Sequence, residues 1–271
     1  MAGVLVFDIE TVPDPELAGR EPHAPPGEAQ IPKIPFNRVV LIGAAVLSVQ
    51  PGEIYRLEAL RVLSGPEAEI LVEFWRLAEG MRLVSFNGKR FDLPVLEARS
   101  LRHGLAVPWY FGGLGRRTDA DGPKPSREED GSAGRRAEAA RPEHFKAEEL
   151  HLDLLQFLSN GEPRNRARLD DYCKLVGLPG KMGIDGSQVA ALFQDQRVEE
   201  LSAYCATDVL QTLGLFLRVQ QLRGACQPAT FPAMLLGVRD AIERGLGERV
   251  GLERERLQAF LHESEPFWAA G

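Results

Sequence analysis

Residues Val4 to Thr11 read Val-Leu-Val-Phe-Asp-Ile-Glu-Thr, an apolar run that ends in two carboxylates separated by one residue. Residues two apart on a strand project from the same face, so Asp8 and Glu10 would stand together at the end of a buried strand. Like charges so placed repel unless a cation lies between them, and hard oxygen donors suit Mg²⁺ or Mn²⁺. A strand that simply ends in solvated acids gives the same pair, so the pair needs company before it means chemistry. Two stretches offer it. In Phe86-Asn87-Gly88-Lys89-Arg90-Phe91-Asp92-Leu93-Pro94 a strand ends in a turn and Asp92 falls at the start of a helix, where it could equally cap backbone donors. In Tyr204-Cys205-Ala206-Thr207-Asp208 the spacing sets a phenol and a carboxylate on one helix face, as a surface Tyr and Asp would also be.

The elements that must position these residues follow from periodicity. Val39 to Val49 and Ile54 to Leu63 read as strands joined by a Pro51-Gly52 turn, a hairpin adjoining the first strand. Glu67 to Glu79 is helical, with Ile70, Leu71, Phe74 and Leu77 on one face; Arg82 to Phe86 is a short strand. Phe91 to His103 is helical, with Leu93, Leu96 and Leu101 inward. Leu150 to Leu158, holding His151 and Asp153, is a short strand or helix. A helix over Leu169 to Val176 is stopped at Gly177-Leu178-Pro179-Gly180. Val198 to Arg223 is the longest helix, and Phe231 to Leu246 and Leu252 to His262 add two more.

Between them lie a Pro-rich loop from Val12 to Pro35, beside the paired acids, and a segment from Gly112 to about Lys146 with hardly an aliphatic residue. The second cannot form a core and reads as a polar surface insertion, disordered or serving as an arm. Three strands in a meander, then helix, strand, helix, a short fifth element and helices is not the alternation of a doubly wound nucleotide-binding fold. It fits an α/β, ribonuclease H-like mixed five-stranded sheet flanked by helices. The first strand is then central, which agrees with its nearly unbroken apolar run.

The bulk numbers bound the function. At 271 residues the expected organisation is one α/β domain over 1–225 carrying the 112–146 insertion, with a helical extension over 226–271 packed on it. A 44% hydrophobic and 26% charged composition excludes disorder of the whole chain. The net charge of −7 argues against wrapping duplex DNA. It leaves room for a nucleic-acid enzyme, because a carboxylate site lowers the net charge while bound cations reverse its local sign. Cys173, Cys205 and Cys226 are odd in number and form no Cys-x-x-Cys pair, so neither a zinc knuckle nor a disulfide framework is expected. With no basic start followed by a long apolar core, and Val39 to Val49 too short to span a bilayer, a soluble cytoplasmic protein without membrane contact is expected.

Taken together, Phe-Asp-Ile-Glu-Thr, Asn-Gly-Lys-Arg-Phe-Asp-Leu-Pro and Tyr-Cys-Ala-Thr-Asp resemble the three motifs of the DEDDy 3′–5′ exonucleases, and in particular the bacterial predicted exonucleases related to the proofreading domain of family-B DNA polymerases. His151-Leu152-Asp153-Leu154, Arg168-Leu169-Asp170-Asp171 and Gly177-Leu178-Pro179-Gly180-Lys181 extend the resemblance over most of the chain except the insertion. It implies catalysis by Asp8, Glu10, Asp92, Tyr204 and Asp208 with two divalent cations, Mg²⁺ or Mn²⁺. Asp8 would bridge both, Glu10 and Asp208 complete the first, and Asp92 hold the second. Tyr204 would orient the attacking water, as a positioner rather than a base, since a phenol ordinarily titrates near 10.

Thr11, Asn87 and Phe91 adjoin these acids as contacts for the terminal nucleotide, through a hydroxyl, an amide and an aromatic face. Local folding roles would account for them equally well. Lys89, Arg164, Arg166 and Lys181 could meet phosphates, although solvated surface charge is the plainer reading of each. His151 reads as a structural hydrogen-bonding histidine, since Tyr204 already occupies the place of the histidine found in the sister group. The expected substrate is a single-stranded nucleic acid, DNA ahead of RNA. A non-catalytic nucleic-acid-binding module and a phosphatase for small esters are the competing classes. The first predicts loss of at least one acid, and all four acids and the tyrosine are present.

Overall fold

The computed structural model describes residues 3–17, 33–111, 148–180, 182–184, 186–245 and 251–269. The expected insertion at 112–146 and residues 18–32 of the expected Pro-rich loop lie outside them. β1 (Gly3–Pro13), β2 (Asn37–Gln50) and β3 (Ile54–Ser64) form an antiparallel meander. After α1 (Glu67–Ala78), β4 (Arg82–Ser85) pairs parallel to β1; after α2 (Asp92–Arg102), β5 (His151–Asp153) pairs parallel to β4. The strand order β3-β2-β1-β4-β5 makes β1 the central strand. This is the expected ribonuclease H-like mixed five-stranded sheet flanked by helices.

A central strand is covered on both faces, and β1 divides its side chains accordingly. Leu5, Phe7 and Ile9 pack with Ile70, Phe74 and Leu96 of α1 and α2. Val4 and Val6 pack on the opposite side with the helices that follow β5. By the two-residue alternation of a strand, Asp8 and Glu10 continue the Val4–Val6 series.

Beyond β5 come α3 (Leu154–Leu158), α4 (Leu169–Val176), α5 (Val189–Gln194), α6 (Val198–Leu222), α7 (Phe231–Gly245), α8 (Gly251–Glu263) and α9 (Glu265–Ala269). The stretch that sequence left as strand or helix is both: three residues of β5, then α3, with the Asp153 carboxylate accepting the Gln156 N–H at the junction. In α6, Leu201, Leu210, Leu213 and Leu217 are buried. Phe231, Leu235, Phe260 and Phe267 of α7 to α9 enter the same core as Val6 and Leu213. Burying each such side chain stabilises the fold by roughly 1.5–3 kcal/mol.

Three expectations are corrected. Leu101 is not inward but 82% exposed, because Arg99 and Ser100 take the buried positions in the last turn of α2. β1 runs past the expected loop start at Val12, since Val12 and Pro13 still pair with Arg38 and Asn37. The short helices α5 and α9 were not foreseen; at 6 and 5 residues they are too brief to display a helical repeat. Among the described residues, no helix is long and apolar enough to cross a membrane.

Candidate active site

The pairing of β4 with β1 ends at Val84 opposite Val6, two residues short of Asp8. The chain then turns through residues 86–91. Asn87 adopts a left-handed φ of 68°, and a Cβ on Gly88 would lie 2.2 Å from Ser85 Oγ, so the turn closes only with glycine there. Asp153, at the end of β5, holds this turn from below: its carboxylate accepts the backbone N–H groups of Asn87 and Lys89, each at 3.0 Å. α2 therefore starts at the level of the paired acids. The Asp92 carboxylate takes its own N–H and that of Ile9, the residue between Asp8 and Glu10. His151, wholly buried, stands 2.7 Å from Ser85 Oγ through Nε2 and serves beneath the turn, outside the residues that line the site.

The third motif arrives from above. Asp8 pairs with Gly43 across β1 and β2, and a Cβ on Gly43 would lie 2.5 Å from Val209 Cγ2 and 2.9 Å from Cys205 Sγ. The absent side chain lets α6 lie directly on the sheet beside Asp8. Tyr204 and Asp208 are thereby brought in, with the phenol hydrogen-bonded to the Asp208 carboxylate. Arg256 of α8 reaches the same place: its guanidinium lies 6.0 Å from the Tyr204 ring centre and donates to the Met182 carbonyl.

All eight anticipated residues line one cavity of about 660 Å³: Asp8, Glu10, Asp92, Tyr204 and Asp208 with Thr11, Asn87 and Phe91. Sequence reasoning missed the rest of its wall, made by Ile9, Pro13, Asn37, Phe86, Gly186, Ser187, Val189 and Ala190. Asn37 accepts a 3.3 Å hydrogen bond from Thr11 Oγ1, close to where the β1–β2 register shifts between Glu10 and Thr11. A bulge of this kind next to a site bends the ladder locally. The apolar spacing of Val189 and Leu192 was the available signal for the α5 wall, and it spans less than two turns.

Electrostatically the acids are strained. Burial first, and then Asp92 and Asp208, raise the Asp8 carboxyl well above its ordinary range. Burial and then Asp8, Asp208 and Asp92 do the same to Glu10. Burial, with Asp153 adding to it, pushes Asp92 to about 7. Among the described residues, no Lys, Arg or His forms an ion pair with Asp8, Glu10 or Asp92. Burial, followed by Asp208, Glu10 and Asp8, also raises the Tyr204 phenol.

The ligating atoms of Asp8, Glu10 and Cys205 lie within 4.8 Å of one another. Burial holds the Cys205 thiol well above its ordinary range, however, and the sulfur is packed over Gly43. The usable donors are thus carboxylate oxygens, a set that fits Mg²⁺ or Mn²⁺ and not a thiolate metal. Of the anticipated cations, Arg164 is exposed, and Lys181 lies outside the described residues. Lys89, expected to be solvated, is 8% exposed because its backbone is tied down by Asp153, and Arg166 is half-buried.

Residues 30–264 match the family described as "Predicted 3'-5' exonuclease related to the exonuclease domain of PolB". The chain belongs to this family. The matched span holds Asp92, Tyr204 and Asp208, and β1 supplies Asp8 and Glu10 from just before it. The family is one of predicted 3′–5′ exonucleases, which implies a nucleic-acid substrate. This exonuclease is also similar to the family B DNA polymerase from the hyperthermophilic archaeon Pyrobaculum calidifontis, at 17% identity and a TM-score of 0.50. That likeness covers 96% of this chain but 27% of the polymerase, and it is a likeness of fold. No curated protein matches the chain significantly.

Proposed function

We propose that this exonuclease is of the DEDDy type and removes nucleoside 5′-monophosphates from the 3′ end of single-stranded DNA with the help of two divalent cations. The observation that carries this reading is the convergence of Asp8, Glu10, Asp92, Tyr204 and Asp208, from a strand, a turn and a distant helix, on one cavity. Asp8 would be shared by both ions, Glu10 and Asp208 would complete the first, and Asp92 would hold the second. When bound, two such ions neutralise phosphate charge, lower the pKa of water and stabilise the leaving oxygen.

The remaining steps belong to side chains. Tyr204, with its phenol raised by burial and the neighbouring acids, keeps its proton at neutral pH and positions the attacking water through its hydroxyl. Phe91 offers a ring face to the terminal base, a contact worth roughly 1–3 kcal/mol per base. Thr11 and Asn87 offer a hydroxyl and an amide to its sugar and phosphate. The family's relation to a DNA polymerase domain favours DNA.

The test is release of mononucleotides from 5′-labelled single-stranded DNA, with RNA and a chromogenic phosphate ester alongside, in Mg²⁺, Mn²⁺ or EDTA. Stepwise shortening of DNA from the 3′ end, abolished by EDTA, is expected. Preferential loss of RNA would make the protein an exoribonuclease with the same acids. Strand binding without release would make it a binding module, and cleavage of the ester alone would make it a phosphatase.

A further inference from the structure

A second, smaller cavity of about 280 Å³ adjoins the first, and Asn87 lines both. Its other walls include Lys89 and Arg90 from the turn before α2, Asp153 from the end of β5, and Arg166 from the loop after α3. Three cations therefore meet one acid, and that acid is already engaged: the Asp153 carboxylate accepts backbone N–H groups from Asn87, Lys89 and Gln156. The Lys89 side chain is more than nine-tenths buried, yet among the described residues its ammonium has neither a hydrogen bond nor an ion pair. Arg166 Nε is likewise buried without a hydrogen-bond partner. A buried donor without an acceptor is costly, which applies in full to Arg166 Nε. The cavity has room for a phosphate and several waters, each water taking about 30 Å³.

We propose that this cavity is an anion site that seats a backbone phosphate of the substrate strand, upstream of the phosphodiester being cut. Its contact with the catalytic cavity through Asn87 selects a phosphate of the same strand over an unrelated anion. Burial holds the Lys89 ammonium below its ordinary value, with Asp153 and Glu148 acting in the opposite sense. A phosphate would add to their effect. The inference rests on the nuclease reading for the identity of the strand, and the turn that aims Asp92 would then also read the strand that Asp92 helps to cut.

Its test uses binding without chemistry. Single-stranded oligothymidylates carrying one uncharged methylphosphonate, moved linkage by linkage from the 3′ end, are bound in EDTA to the wild type and to Lys89→Met, Arg166→Gln and Lys89→Arg. The wild type should lose about tenfold in affinity at one internal linkage, the equivalent of about 1.4 kcal/mol. Lys89→Met and Arg166→Gln should bind the unmodified strand more weakly by a similar factor and lose nothing further at that linkage. Lys89→Arg should restore the dependence, and each lost cation should lower the salt slope of log K by about 0.7. Inorganic phosphate at concentrations that displace the strand equally from wild type and Lys89→Met would overturn the assignment, as would variants that lose affinity equally at every linkage. Metal-dependent release with no linkage effect would remove this site and leave the nuclease. A linkage effect without release in any metal would remove the nuclease and keep the site.

Discussion

Two sets of buried and part-buried acids lie on and beside β1, and they differ in whether cations accompany them. In the first, Arg99 reaches Asp14 at 2.7 Å and Glu67 at 2.6 Å, and His103 Nε2 lies 2.8 Å from Glu67. Burial pushes Asp14 and Glu67 upward, but hydrogen bonds from Arg99 bring both below their ordinary range. In the second, Glu10 and Asp92 are as deeply buried and Asp8 is part-buried, among the described residues no guanidinium pairs with them, and all three are raised. Burial alone therefore does not mark a functional acid. The Arg99 set is complete as a structural tie joining the end of β1, the start of α1, where Glu67 also accepts the Val39 N–H, and the last turn of α2. Among the described residues the Asp8 set has no such cation, and protons or added cations would balance its charge.

Truncation should separate the two most sharply. Asp8→Ala or Asp208→Ala should lower mononucleotide release by a factor on the order of 10⁴ or more, as loss of a central catalytic group does. The metal-free Tm should stay level or rise, because each change relieves repulsion. Full activity in either variant, measured on the labelled strand, would sink the assignment of these acids. Arg99→Met should do the reverse. Leaving Asp14 and Glu67 buried without their cation costs roughly 3–5 kcal/mol, seen as a lower urea midpoint, while the folded fraction keeps its turnover. A small stability loss would mean that the Arg99 tie is dispensable and that the contrast between the sets is overdrawn.

Tyr204→Phe probes the second set from its edge. The phenol donates to Asp208 and is held protonated by burial and its acidic neighbours, so removing it deletes one hydrogen bond and no metal ligand. Turnover should fall by roughly tenfold or more, the worth of one hydrogen bond to a charged group, with the Mg²⁺ concentration for half-maximal activity unchanged. Unchanged turnover would remove the positioning role.

The sequence revealed these two sets unequally. Asp8 with Glu10, and Tyr204 with Asp208, lie at strand and helix spacings, and Asp92 follows a turn, so local pattern exposes them. Arg99 bonds partners 32 and 85 residues away, a pairing that leaves no periodic trace. Asp153 was visible as a motif residue, but its hold on the Asn87–Lys89 turn spans 64 to 66 residues and appears only in three dimensions. The burial of Lys89, open in sequence between solvated charge and a phosphate contact, depends on the same long-range tie. The mixed five-stranded sheet with β1 at its centre was legible because β1 is a nearly unbroken apolar run after which a meander follows, whereas α5, brief and walling the site beside Gly186 and Ser187, was not.

The gentlest probe of the contrast is pH, and the two sets should answer it with opposite signs. A raised acid binds more protons folded than unfolded, so its contribution to stability falls as pH climbs from the ordinary carboxylate range, near 4, through its folded value. For Asp92 that window closes at about 7, and Asp8 and Glu10 act in the same direction. A lowered acid does the opposite: Asp14 and Glu67 contribute above the ordinary range, and their contribution is lost as pH falls below it. Metal-free protein should therefore be most stable at mildly acidic pH, with each titrating group changing the slope by at most about 1.4 kcal/mol per pH unit. Urea midpoints measured from about pH 2 to pH 8 in EDTA should decline on the alkaline side, and saturating Mg²⁺ or Asp8→Asn should flatten that decline. Arg99→Met should instead flatten the acidic side. If Mg²⁺ left the alkaline decline untouched, the raised acids would not be the groups that receive it, and the two sets would differ in burial chemistry but not in purpose.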